Sequence, residues 1–201
     1  DYFKTNIPEA ICLSPPLCTM LQTAQNVADM YNLNREELDN FAYKSHQKYK
    51  KALQDGFYKN EITPVTVKAP VFDEEGKCDY TQMGEECVLK IDDGYRKDCS
   101  IEKLATLNPI PGIQSYLKNE IIITAGNSCP TNDGISACLL MSARKAKQMG
   151  VKPLAKIKAM NVSGIKPQIM GIGPVIAIQK ALKMANLDAI EIDLIEFNEA
   201  F

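Results

Sequence analysis

The chain has 201 residues, 45% of them hydrophobic and 24% charged, a balance that excludes an intrinsically disordered chain and suits one or two globular domains. Its formal net charge of -2 supplies no field for nucleic acid or an anionic membrane, and no run nears the ~20 apolar residues of a membrane span. The 7 cysteines are scattered without a C-x-x-C pair and the single histidine is His46, so reduced thiols are expected, with no metal, no cofactor and a cytoplasmic or organelle-matrix setting.

The first twenty or so residues, with Pro8, Pro15 and Pro16, read as a loop, and the start "DYFKTNIPEA" has neither the basic nor the apolar region of a signal peptide. In "TAQNVADMYN", Ala24, Val27, Ala28 and Tyr31 fall at i, i+3, i+4 and i+7, one face of a helix. Asn34, with Glu37 three residues on, makes a capping box for a second helix, whose face runs Leu38, Phe41, Ala42, Ser45, Tyr49, Ala52, Leu53 and whose left-handed stop is Gly56. His46 lies there among "KSHQKYKK" and reads as a solvated side chain. "EITPVTVKAP" alternates as a strand that Pro64 and Pro70 confine to an edge. Asp73 to Lys103 is charged and carries Gly76, Gly84 and Gly94, so loops are expected with a short strand near Cys87 to Ile91. Ser100 to Leu107 suits a short helix, and "NPIPGIQSY" a turn-rich connection.

The pattern then changes. "EIIITAGNS" is a continuous apolar run that suits a strand buried on both faces. A helix from Asn132 to Gly150, a strand in "LAKIKAMNVSG", a helix from Gly173 to Asn186 and a strand in "IEIDLIEFN" follow, the alternation that builds a layered α/β sheet.

Chemistry concentrates at element ends. In "TAGNSCPTNDG" small residues let backbone approach a ligand, and Asn132 or Asp133 can cap the helix beyond; a plain strand-to-helix turn is the competing reading. "MGIGP" is a second glycine-bearing turn, with Pro174 suited to a first helical turn, and it lacks the dinucleotide fingerprint. In "FNEAF", Asn198 can hold a water or donate to an oxyanion, or the Asn-Glu pair can serve as a cap.

Taken in order, "TAQNVADMYNLNREELDNFAYKSHQKYKKALQDGFYKNEITPV", "TAGNSCPTNDGISACLLMS", "IMGIGPVIAIQKAL" and "IDLIEFNEAF" resemble the middle of a thiolase, over Thr23 to Phe201. The resemblance implies a thiolase-like layered α/β fold, here partial: a helix-and-loop domain on the coenzyme A side over residues 1–119, and α/β core segments over 120–201 that include the start of the C-terminal domain. It implies reversible Claisen condensation and thiolysis of acyl-CoA by ping-pong acyl transfer, with the coenzyme A thioester as substrate and a parent homodimer or homotetramer. By the same resemblance Asn198 matches the asparagine that holds an oxyanion-hole water, and Met170, Ala200 and Phe201 match acyl-pocket positions. Ala125 and Cys129 match positions beside the pantetheine arm, Met20 its mouth, and Arg96 a basic residue near the nucleotide phosphate. The family's nucleophilic cysteine, Gly-His-Pro histidine and second cysteine are expected outside this sequence, which makes the chain an expected inactive fragment that contributes to an acyltransferase; the alternative is a non-catalytic thiolase-like module for acyl-CoA or a protein partner.

Overall fold

A computed structural model describes residues 18–201, apart from Lys118, Asp133 and the side chain of Tyr80. The expected N-terminal loop and the Asp133 cap therefore lie outside the described residues. The chain divides into two compact units: the described residues up to Leu38 together with Leu107–Phe201, and Asp39–Thr106.

In the first unit, helix α1 spans Met20–Tyr31. The Thr19 hydroxyl caps it by accepting from the Gln22 amide at 3.1 Å, and Asn32 ends it in the left-handed region at φ 52°. The helix is where periodicity placed it; of the expected face Ala28 is buried with Ala24 packed beside it, but most of the buried side chains are polar. Gln22, Thr23, Gln25, Asn26, Ala28 and Asp29 are buried, whereas Tyr31 is exposed. The small apolar core is Ala28 with Ile122 and Ile123, flanked by Leu21, Ala24, Leu38, Ile110, Ile113 and Phe201.

Ile122, Ile123, Thr124 and Asn127 are buried as expected, yet the segment forms no ladder: the Pro109–Thr124 bridge stands alone and a 3-10 turn follows at Ala125–Asn127. Side chains take the place of a neighbouring strand. Gln25 Nε2 donates to the Glu120 carbonyl at 3.2 Å, and the Ile122 amide donates to Gln25 Oε1 at 3.0 Å, so one amide group answers a donor and an acceptor as a strand edge does.

The long helix expected from Asn132 shrinks to α4, Ala143–Met149, capped by Ser142 and closed by Gly150 at φ 66°. The residues ahead of it have no surface to cover: Ile135, Leu139 and Leu140 are exposed. Helices take most of their stability from a packed face, so without one the capped end alone stays helical. The strands expected at 154–164 and 190–198 are likewise absent among the described residues, since a strand without a neighbour has nowhere to place its backbone hydrogen bonds. Helix α5, Gly173–Ala185, forms as expected with Pro174 in its first turn and Asn186 closing it at φ 53°.

In the second unit, most of α2 (Arg35–Gln54) precedes a 3-10 turn, Phe57–Asn60, entered through Gly56 at φ 72°. Asn34 and Glu37 close the reciprocal box ahead of α2, at 2.9 and 3.0 Å. Strand β1, Val65–Phe72, pairs antiparallel with β2, Cys78–Leu89, which is longer than the short strand expected and replaces much of the expected loop. A two-stranded ribbon open to water needs no alternating apolar face, so charged residues and Gly84 fit it; the register shifts on both sides of Pro70, which cannot donate to the ladder. Helix α3, Ile101–Ala105, is capped by Ser100.

Candidate functional site

Gln22, Gln25, Asn26 and Asp29 lie one above another on α1 at i, i+3, i+4 and i+7, and each reaches a different part of the chain. Gln22 donates to the Gln114 carbonyl at 2.6 Å and accepts from the Gln114 amide at 2.9 Å. Gln25 holds Glu120 and Ile122 as described above. Asn26 Nδ2 donates to the Gln168 carbonyl at 2.8 Å. The carboxyl oxygens of Asp29 accept from Ser115 Oγ at 2.7 Å, Gln25 Nε2 at 3.0 Å and Asn119 Nδ2 at 3.2 Å. Buried polar groups cost free energy unless paired, and this row is paired throughout.

The row aims the turns that carry the candidate residues. Beyond Ile122, Asn127 ties the 3-10 turn from inside, accepting from the Thr124 amide at 2.8 Å and donating to the Ile122 carbonyl at 2.9 Å. That leaves Ala125 and Cys129 exposed on the turn, with Cys129 a free thiol. The Cys129 amide donates to the Ala200 carbonyl at 2.9 Å, which joins this turn to the segment of Asn198, Ala200 and Phe201. Asn198 is exposed, Ala200 half-buried, and Phe201 packs on the core. Met170 sits in the 3-10 segment Pro167–Ile172, which Asn26 holds, and Met20 opens α1; both are partly exposed.

Arg96 belongs to the Asp39–Thr106 unit, where Nη1 donates to the Asp93 carbonyl at 3.2 Å. His46 in the same unit is half-buried, its ring 6.2 Å from that of Tyr95, rather than solvated as expected. Burial first, and the Arg96 charge second, hold its pKa below the usual 6.5. Tyr49 stacks on Tyr58 and donates to Asp92 Oδ2 at 2.8 Å; burial and that hydrogen bond push its pKa from 10.0 up to about 12. Among the described residues no cluster of His, Cys, Asp or Glu can hold a metal ion, and no helix is long and apolar enough to cross a membrane.

Two recesses, of about 610 Å³ beside Gln179 and Lys183 and about 320 Å³ beside Leu53 and Lys59, contain none of the candidate residues. In the first unit, Met20, Ala125, Cys129, Met170 and Asn198 are exposed, while Ala200 and Phe201 are half-buried. Sequence reasoning missed Gln22, Gln25, Asn26, Asp29 and Asn127, although the first four repeat at helical spacing, because polar side chains in such a row ordinarily face water.

Comparison with known proteins gives a consistent result. The family model for the thiolase N-terminal domain matches residues 4–144, and that for the thiolase C-terminal domain matches residues 151–201. A 3-ketoacyl-CoA thiolase of Bacillus subtilis (strain 168) is 41% identical over 183 residues, 91% of this chain and 44% of that protein. A probable acetyl-CoA acyltransferase of Staphylococcus aureus (strain COL) is 39% identical over 179 residues, 89% of this chain and 41% of that protein. Among solved structures, the Bacillus anthracis acetyl-CoA acetyltransferase matches with a TM-score of 0.74 at 37% identity, covering 94% of this chain and 44% of that one. Human mitochondrial 3-ketoacyl-CoA thiolase matches with a TM-score of 0.68 at 31% identity, covering 90% of this chain and 41% of that one. The helices and small sheet described above thus correspond to part of a thiolase-like α/β fold, and the chain spans less than half the length of these relatives.

Proposed function

This chain belongs to the thiolase family, and on that premise we propose that it supplies coenzyme A thioester contacts and one oxyanion-hole residue to acyl transfer, and does not turn over by itself. The observation that carries this reading is the 2.9 Å hydrogen bond from the Cys129 amide to the Ala200 carbonyl, because it joins the small-residue turn of Ala125 and Cys129 to the chain segment that carries Asn198. Ala125 and Cys129 flank the pantetheine arm. Asn198 holds the water that donates to the thioester oxygen as negative charge develops there. Met170, Ala200 and Phe201 line the acyl end, Met20 its approach, and Arg96 meets the nucleotide phosphate.

The substrate is acyl-CoA or acetyl-CoA, and the reaction of the parent is reversible Claisen condensation and thiolysis in acyl-chain metabolism, carried out in the cytoplasm or an organelle matrix by a dimer or tetramer. Thiolase chemistry requires a cysteine nucleophile and a Gly-His-Pro histidine. The one histidine here lies in Ser45-His46-Gln47, so this chain does not hold that motif. When acetoacetyl-CoA and coenzyme A are incubated with the pure chain, no acetyl-CoA is expected to form. Steady thiolysis that survives repurification overturns the proposed dependence on residues outside this sequence.

A second reading, a non-catalytic module that docks on a protein partner, is favoured by the fully exposed Ile135 and Leu154, whose side chains lie open to solvent.

A further inference from the structure

We propose that Asn26 is a positioning residue for the acyl end of the site, its buried amide setting the Pro167–Ile172 segment and through it Met170. The inference rests on the reading that Met170 lines that end. Asn26 is 6% exposed, with both ends of its amide used: Oδ1 accepts from Gln22 Nε2 at 2.9 Å, and Nδ2 donates to the Gln168 carbonyl at 2.8 Å. Gln22 is itself pinned to both backbone groups of Gln114, so the Asn26 amide has one orientation.

The segment packs on α1 and against α5, and Asn26 ties its backbone to α1 by a side-chain hydrogen bond. Its backbone leaves helical geometry at Ile169 (φ -130°, ψ 33°), and the Ile169 amide bonds only locally, to the Lys166 carbonyl at 3.1 Å. The side-chain Oε1 of Gln168 is buried without a hydrogen-bond partner among the described residues, so that side chain's oxygen does not anchor the turn. Gly171 lies over Val27, one residue beyond Asn26, where an added Cβ would stand 3.9 Å from Val27 Cγ2. The α1 row that holds residues 114–122, ahead of Ala125, thus also holds the turn of Met170. One rigid helix references two sides of the site, and Asn26 is its contact with the acyl side.

Asn26→Asp keeps the shape of the side chain and sets an oxygen against the Gln168 carbonyl, while Asn26→Ala removes the donor without adding charge and serves if the first variant does not fold. Amide hydrogen exchange in the unliganded chain is the first readout. Exchange at Ile169 to Gly171 is expected to quicken by about tenfold or more, with β2 unchanged, as follows from loss of a single buried hydrogen bond. The second readout is the affinity for hexanoyl-CoA relative to acetyl-CoA, expected to shift while the affinity for coenzyme A stays constant, which a loss of overall stability does not produce. Unchanged exchange in a folded variant overturns the proposal, as does an unchanged hexanoyl-to-acetyl ratio. If wild-type chain binds none of the three compounds, the thioester reading fails and takes the acyl-end role with it, while the exchange result alone decides whether Asn26 holds the turn.

Discussion

Residues whose types read as unremarkable in the sequence control most of the local order. Gln25 is 1% exposed and replaces a whole neighbouring strand for Glu120 and Ile122, and Asn127 does the same for the turn that presents Ala125 and Cys129. A buried amide can do this because it carries a donor and an acceptor in the geometry of a peptide group. His46 is informative in a different way, since it is the only histidine. Burial, and then Arg96, favour its neutral form, so its folded pKa lies below 6.5. Its contribution to stability is therefore complete above pH 6.5 and lost as pH falls through the folded value. An NMR titration of the imidazole is expected to show one midpoint below 6.5, and Arg96→Gln is expected to return it only part of the way, because burial remains. A wild-type midpoint at or above 6.5, or one indifferent to Arg96→Gln, contradicts this account of the pocket.

Elements were legible where their signal is local. The Asn34–Glu37 box, Pro174 in a first helical turn, and the left-handed stop at Gly56 depend on a few adjacent residues, and each is found in place. What escaped the sequence depends on partners. The apolar runs at 120–128, 154–164 and 190–198 carry strand patterns, but pattern does not supply a neighbour, and the stretch ahead of α4 lacks the packed face that a helix needs. Strand β1 forms where its alternation placed it, whereas most of β2 escaped for the opposite reason: its charged stretch carries no apolar alternation, and its glycine looked like a loop marker. Gly84 is in fact required there, because a Cβ would stand 2.9 Å from the Ala69 carbonyl oxygen. Gly84→Ala is expected to destabilise the ribbon by about 1–3 kcal/mol in urea unfolding. Gly134→Ala, with nothing within 4 Å of the new Cβ, serves as the control and is expected to change stability by less than about 0.5 kcal/mol. Equal effects from the two substitutions contradict the close approach in the ribbon.

For the molecule as a whole, family membership was readable from the order of four weak motifs, and the N- and C-terminal thiolase models together match most of the chain. The candidate site was legible in part: the turn of Ala125 and Cys129 and the Asn198 to Phe201 segment meet through one backbone bond, whereas the α1 row that aims them was hidden among residues that usually face water. The most direct measurement is a calorimetric titration of the pure chain with acetyl-CoA, repeated with Cys129→Trp, which fills the proposed pantetheine side of the turn. The account predicts saturable binding by the wild-type chain and a marked loss of affinity in the variant. No binding by a folded wild-type chain, or binding unaffected by the added bulk at Cys129, contradicts the claim that this surface receives a coenzyme A thioester.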